Sequence, residues 1–183
     1  MKIAVIGRGN VGGGLARLWR EAGHDVTEIG HEGGDASGSD AVLLSVPAAQ
    51  IESALAGVQG IGYAPLMDAT NVAGGGRREG FDSLAAFVKA QTGGPVAKAF
   101  NANFAAFYDR LGEARTPPSM VYAADEEARA VTEQLIKDAG YEPVSAGGLE
   151  NAGAVEDFLG VIFAVAQAGT GRFWYRFAPP ERF

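Results

Sequence analysis

The stretch Gly7-Arg8-Gly9-Asn10-Val11-Gly12 decides the fold class. It has the spacing G-x-G-x-x-G, follows an apolar run at residues 2–6 and opens a segment of helical periodicity at residues 11–22. In such a context the first glycine permits a tight turn, the second lets the backbone approach a pyrophosphate, and the third lets the helix pack against the strand. The helix N-terminus then faces the anion. The stretch therefore predicts a dinucleotide-binding strand–turn–helix.

Short apolar runs alternate with segments of helical spacing along the rest of the chain. Near-continuous apolar runs are typical of strands buried on both faces, and their alternation with helices indicates a doubly wound parallel sheet. The predicted strands are residues 2–6, 25–29, 41–46, 65–70, 95–100, 119–123 and 142–145; the predicted helices are residues 11–22, 48–56, 81–91, 125–139 and 150–168. With 183 residues, the chain is expected to form a single Rossmann-type α/β domain over residues 1–183.

The connection between the second and third predicted strands is abnormally short. A standard doubly wound half places a helix, a strand and a second helix there, whereas only residues 30–40 are present. The sequence therefore predicts a sheet truncated after its second strand, which becomes an edge. Because an edge must be covered, twisted away or paired, a homodimer contact is compatible with this truncation.

Composition excludes several classes of function. The net charge of −7 argues against a nucleic-acid partner, and a chain with no cysteine has neither disulfides nor thiolate nucleophiles. The apolar segment at residues 158–166 is shorter than the ~20 residues of a membrane span. We therefore expect a cytoplasmic protein with no membrane or nucleic-acid partner and no metal site.

The end of the second predicted strand should choose between NAD and NADP. A carboxylate there accepts a hydrogen bond from the 2′-hydroxyl of the adenosine ribose of NAD, whereas a basic residue holds the 2′-phosphate of NADP. Glu28, His31 and Glu32 stand in this region. Glu32 favours NAD, and His31 assists a phosphate only when protonated. Both side chains also fit a solvated loop, so the choice between NAD and NADP stays open. His24, in an earlier turn, is likewise expected to be exposed to solvent.

A second contact zone for the dinucleotide is expected at the carboxyl ends of the next two strands, where ligands of open α/β sheets sit. Ser45, Val46 and Pro47 end one strand, and Asn71 and Val72 follow the other. Pro47 also fits a helix-initiating proline.

Four stretches carry a family resemblance. They are Gly7 to Gly12, Leu44-Ser45-Val46-Pro47, Val96-Ala97-Lys98-Ala99-Phe100-Asn101, and Ala146-Gly147-Gly148-Leu149-Glu150-Asn151. In this order they resemble the F-420 deazaflavin-dependent NADP reductase family over nearly the whole chain. The resemblance implies hydride transfer between the nicotinamide of NADP or NAD and a small-molecule redox co-substrate, coenzyme F-420 or a flavin. Because the cofactors carry that chemistry, no catalytic side chain is expected.

The resemblance also implies a site for the second ring, completed by the C-terminal helix. Its mouth would be formed by Phe100, Asn101, Ala102 and Asn103, and Gly147, Gly148 and Leu149 would close it from the other side. The chain departs from the family where His31-Glu32 replaces serine or threonine followed by arginine, and where Gly148 replaces a proline. Lys98 fits a partly buried structural lysine slightly better than a catalytic one.

Two arginines suggest how an anionic substrate would be held. Arg77 and Arg78 end the glycine-rich stretch that follows a predicted strand, and guanidinium groups suit phosphate or carboxylate. We hypothesise that they bind an anionic tail of the second substrate. A solvated charged loop explains them equally well.

The sequence leaves two other functions open. One is reduction of a small carbonyl or imine, for which Lys98, Tyr63 and Tyr108 are candidate proton donors. The other is a non-catalytic dinucleotide sensor or interaction protein. The aromatic tail at residues 173–180 packs either over the second-substrate site or against another subunit, and a structural role is favoured.

Overall fold

A computed structural model describes residues 1–72 and 77–182. Its strands are β1 (Lys2–Ile6), β2 (Asp25–Ile29), β3 (Gly34–Asp35), β4 (Ala41–Leu44), β5 (Val58–Gln59), β6 (Leu66–Asp68), β7 (Val96–Lys98), β8 (Ser119–Ala124) and β9 (Glu142–Ser145). Its α-helices are α1 (Asn10–Glu21), α2 (Ile51–Ala56), α3 (Leu84–Thr92), α4 (Glu126–Asp138) and α5 (Ala152–Val165). Short 3-10 turns precede α2 at Ala48–Gln50 and α5 at Leu149–Asn151.

Seven strands form one sheet in the order β2-β1-β4-β6-β7-β8-β9. The truncation was predicted correctly, because β2 is the edge strand next to β1. The short connection is closed by a separate two-stranded ladder, in which Gly34 pairs with Val58 and Asp35 with Gln59. The parallel, doubly wound architecture predicted from the alternation of strands and helices is confirmed for most of the sheet.

The exception is β8, which runs antiparallel to β7 and pairs Ala97 with Ala124. The connection between them holds a 3-10 segment at Ala105–Glu113 that packs against α1 and does not cross the sheet. The chain therefore returns to the sheet at the carboxyl edge of the parallel strands, and β8 starts there. As a result β9, parallel to β8, ends at the opposite, amino edge.

Two apolar layers enclose the sheet. One contains α1, α4 and the 3-10 segment, and the other contains α2, α3 and α5. In the first layer the Trp19 side chain is fully buried and its Nε1 donates a hydrogen bond to the Leu135 carbonyl at 2.9 Å. Its ring meets that of Phe100 edge-on at 5.6 Å. Trp19 thus connects α1, α4 and the end of β7.

The C-terminal helical run is longer than the sequence indicated. It extends from Leu149 to Thr170, has a mean hydropathy of 1.3 and is 22% buried over its most apolar window. By length and composition alone it would suffice to cross a membrane, so the length argument made from residues 158–166 was wrong. Its first part packs against α3 and β8, as the core helix of a folded domain does.

The aromatic tail folds back onto its own domain. The Tyr175 ring packs edge-on against the Phe158 ring, with 5.3 Å between the ring centroids. The backbone carbonyl of Tyr175 accepts a hydrogen bond from the Ser119 amide at 2.9 Å. Burial raises the pKa of Tyr175 to about 12, so the phenol stays protonated. It donates to Asn103 Oδ1 at 3.0 Å. The tail therefore supports the segment that follows β7.

Replacing Tyr175 with alanine should lower the free energy of unfolding by about 2–3 kcal/mol, because it removes a packed ring and the hydrogen bond to Asn103. Tyr63→Ala is the matched control, since that side chain is 68% exposed and should change stability by less than about 0.5 kcal/mol. Urea unfolding followed by fluorescence measures both. Equal effects of the two substitutions would contradict the supporting role of the tail.

Candidate functional site

The glycine loop between β1 and α1 is held in a conformation that side chains cannot adopt. Gly7 has φ +108°, and a Cβ on Gly12 would lie 2.0 Å from the Gly7 carbonyl oxygen and 2.3 Å from Ser45 Oγ. Ser45 Oγ lies 3.2 Å from both the Ile6 and the Gly7 carbonyl oxygens. Ser45, predicted to contact the dinucleotide, therefore braces the loop with its hydroxyl.

Gly9 provides the opening that a pyrophosphate requires. A Cβ at this position would meet nothing within 4 Å, and no side chain caps the N-terminus of α1. The first-turn amide groups, which include Asn10 and Val11, therefore have no side-chain acceptor at the cap. A bound anion would accept their hydrogen bonds and face the positive end of the helix dipole. The loop thus fits a dinucleotide pyrophosphate.

Arg8 and Glu32 form an ion pair at the end of β2, with Arg8 Nη2 2.7 Å from Glu32 Oε1. The backbone N–H of Glu32, and then Arg8, hold the pKa of the Glu32 carboxyl below its usual value. Glu28 instead pairs with Arg20 at 2.8 Å, and the His31 side chain is fully exposed. Of the three residues predicted on the adenosine side, Glu32 is the one whose side chain pairs with Arg8 of the glycine loop. His31 Nδ1 lies 3.4 Å from Glu32 Oε2, and Arg8 also donates to the Glu28 carbonyl at 3.1 Å.

A cavity of about 780 Å³ opens at the carboxyl edge of the sheet and begins at the first turn of α1. It brings together seven residues that the sequence singled out: Val11, Asn71, Val72, Phe100, Asn101, Ala102 and Asn103. Sequence reasoning named none of the remaining lining residues: Phe104, Ala105, Glu156, Asp157, Leu159, Gly160, Ile162, Phe163 and Gln167. A usable signal was present, because Glu156 and Asp157 are the only charges between residues 152 and 171.

Two asparagines fix the floor of the cavity. Asn71 Nδ2 donates to the Asn101 carbonyl at 3.0 Å, and Asn101 Nδ2 donates to the Val155 carbonyl at 3.2 Å. Asn101 is 4% exposed, and its buried Oδ1 has no hydrogen-bond partner in the described part of the chain. An unpaired buried acceptor is costly unless a ligand supplies a donor. The carboxamide N–H of a nicotinamide is such a donor.

Lys98 lies behind this floor and is fully buried, more so than the sequence suggested. Its ammonium donates to Asp68 Oδ2 at 2.9 Å and to the Thr70 carbonyl at 2.6 Å. It also lies 3.0 Å from Glu156 Oε1. Glu156 in turn accepts from the Leu84 amide at 2.9 Å, at the N-terminus of α3. The cluster joins β6, β7, α3 and α5.

The predicted arginine pair is split. Arg77 pairs with the cavity residue Asp157 at 2.8 Å, so it stands at the cavity rim. Arg78 lies 4.0 Å above the ring of Phe87 and pairs with Glu52 at 2.9 Å, away from the cavity lining. The preceding residues of their loop, 73–76, lie outside the described residues.

Gly148 and Leu149 do not close the cavity. They follow β9, which ends at the amino edge because β8 and β9 are reversed, and the Gly147 carbonyl accepts there from Ala124. Leu149 packs into the layer with α3 and α5. The opposite wall of the cavity is formed instead by α5, which runs back towards the carboxyl edge.

The structure also places the other residues that the sequence singled out. Pro47 is exposed and precedes the 3-10 turn Ala48–Gln50, while Val46 packs partly into the core. His24 was expected in a solvated turn, but its side chain is only 9% exposed and Nε2 lies 2.9 Å from Asp138. None of the three candidate proton donors is in the cavity lining: Lys98 lies behind the floor, Tyr63 is exposed, and Tyr108 is buried, which raises its pKa.

Comparison with known proteins shows which fold this is. No protein-family model matches the chain, and no curated protein matches it. Among solved structures, a candidate F420-dependent NADP-reductase from Arthrobacter sp. FB24 superimposes with a TM-score of 0.81 at 21% identity, over 98% of this chain and 100% of that one. The fold is the same. The chain thus has the Rossmann-type α/β fold of that structure, as its motifs indicated.

Two further structures have the same fold. The hypothetical protein SMa0349 from Sinorhizobium meliloti has a TM-score of 0.69 at 22% identity, over 97% of this chain and 94% of that one. An imine reductase from Pseudomonas sp. has a TM-score of 0.69 at 16% identity. That match covers 91% of this chain and 62% of the longer imine reductase.

Gly9→Ala should weaken binding of NADH or NADPH by about tenfold or more, because a methyl group would occupy the approach of the pyrophosphate. Stability should be unchanged, since φ at Gly9 is −75° and the Cβ position is open. Gly13→Ala is the matched control: its Cβ would have its nearest contact at 3.4 Å, and affinity should stay within about threefold. Calorimetric titration measures both, and equal affinities of the two variants would place the pyrophosphate elsewhere.

Proposed function

We propose that this protein is an NAD(P)-dependent oxidoreductase that transfers a hydride between a nicotinamide and a deazaflavin such as coenzyme F-420, or a flavin. The observation that carries the proposal is the continuity of the glycine loop with the cavity. Val11 belongs to the first turn of α1 and also lines the cavity. A dinucleotide whose pyrophosphate lies on that turn has its nicotinamide end within reach of the cavity.

The residues of the cavity suit a reaction that needs orientation and exclusion of water. Bound here, the dinucleotide would supply the hydride. Asn101 Oδ1 would hold the carboxamide, and the hydrogen bonds between Asn71 and Asn101 fix that group in place. Phe104 and Phe163 provide apolar surface for a second planar ring. Such preorganisation accelerates transfer without an acid or a base.

The identity of the second ring rests on the family resemblance and on the size of the cavity. A volume of about 780 Å³ is within the usual range for a binding site of small organic molecules. Arg77 at the rim would meet an anionic tail if its pairing with Asp157 opened. Arg78 has no part in this proposal, because it is stacked on Phe87 and paired with Glu52.

A second candidate is reduction of a small imine. It is favoured by the charges of the cavity, since Glu156 and Asp157 line it and an iminium is a cation. Reduction of an iminium consumes a hydride alone. The solved imine reductase with the same fold is compatible with this alternative, although it is only 16% identical.

The direct test is to mix the purified protein with NADH or NADPH, with coenzyme F-420, with a flavin or with a cyclic imine, and to follow nicotinamide absorbance. Oxidation that requires F-420 or the flavin is the expected result. Oxidation only with the imine would select the second candidate. Binding of the nucleotide without turnover on any acceptor would contradict both and leave the sensor function.

Glu32→Ala should shift nucleotide preference towards NADPH by about tenfold, because it releases Arg8 for the 2′-phosphate and removes the acceptor for the ribose hydroxyl. The ratio of the dissociation constants of NADH and NADPH, measured by fluorescence titration, reports the shift. Glu21→Ala is the control, since Glu21 pairs with Arg17 at the far end of α1. An unchanged ratio in Glu32→Ala would remove Glu32 from the adenosine pocket.

A further inference from the structure

The charges around the cavity do not cancel. Among the described residues that line it there are two carboxylates, Glu156 and Asp157, and no lysine, arginine or histidine. Asp157 is 65% exposed and paired with Arg77 at the rim, so water and the guanidinium screen it. Glu156 differs, because its side chain is only 8% exposed.

Glu156 keeps an uncompensated charge despite its contact with Lys98. The Lys98 ammonium is shared with Asp68, also fully buried, so one positive charge serves two carboxylates. The remaining compensation comes from the N-terminus of α3, where the Leu84 and Ala85 amides donate to Glu156. A helix terminus amounts to roughly half a charge. The floor of the cavity therefore carries a net negative charge in a region of low solvent access.

We propose that the Glu156 carboxylate gives the site a preference for the oxidised nicotinamide. This inference rests on the proposed function. When a hydride leaves the reduced ring with its two electrons, the ring becomes a pyridinium cation, whereas the reduced ring is neutral. A fixed negative charge stabilises the cation more strongly when the charge is closer to the ring and more deeply buried. Glu156 therefore makes bound NADH or NADPH a stronger hydride donor. The second substrate accepts the hydride and is reduced.

The test compares the dissociation constants of the oxidised and reduced forms of the same dinucleotide, as the value for the oxidised form divided by the value for the reduced form. This measurement requires no second substrate. In Glu156→Gln this ratio should rise about fivefold, because only the oxidised ring loses an electrostatic partner. Glu156→Asp keeps the charge, and its ratio should stay within about twofold of that of the natural protein. Glu150→Gln removes a charge of the same helical run outside the cavity lining, and should also leave the ratio unchanged.

A second variant decides the matter if Glu156→Gln does not fold. Gln167 lines the cavity from an exposed position, so Gln167→Lys adds a positive charge without touching the buried cluster. It should raise the same ratio. An unchanged ratio in a folded Glu156→Gln, or in Gln167→Lys where the first does not fold, would overturn the inference. If the natural protein binds neither form of the dinucleotide, the proposed function itself fails.

Discussion

The ammonium of Lys98, buried between two carboxylates, is the constraint on which the site depends. It bonds to Asp68 at the end of β6 and to the Thr70 carbonyl, and it reaches Glu156 on α5. Burying an ion is expensive, and removing one partner of such a cluster typically costs about 3–5 kcal/mol. The cluster fixes α5 at one position along the carboxyl edge. That position sets the width of the cavity between α5 and the ends of the parallel strands.

The two halves of the site have different physical origins. The glycine-loop half is backbone geometry: Gly7 and Gly12 leave no room for side chains, whereas the Cβ position of Gly9 is open, and Ser45 Oγ braces the turn. The cavity half is tertiary, since its walls come from the first turn of α1, the segment after β7 and α5. The tail contributes indirectly, because Tyr175 holds Asn103 in place.

The first half could be predicted from sequence and the second only in part. The glycine loop is local, so its motif and context suffice, and the short connection after β2 likewise showed the edge strand. The reversal of β8 is not visible in apolar runs, since a buried strand looks the same in either direction. Because of that reversal Gly148 and Leu149 lie at the amino edge, and α5 forms the cavity wall that these two residues were expected to form. Burial of Lys98 also depends on partners distant in sequence, Asp68 and Glu156.

We propose that the glycine loop and the cavity bound by α5 are parts of one dinucleotide site. A crystal structure of the protein with bound NADH or NADPH tests it most directly. The pyrophosphate should lie on the amides of Asn10 and Val11, and the nicotinamide should lie in the cavity with its carboxamide at Asn101 and its ring on the side of Glu156. A dinucleotide bound with its nicotinamide outside this cavity would contradict the account.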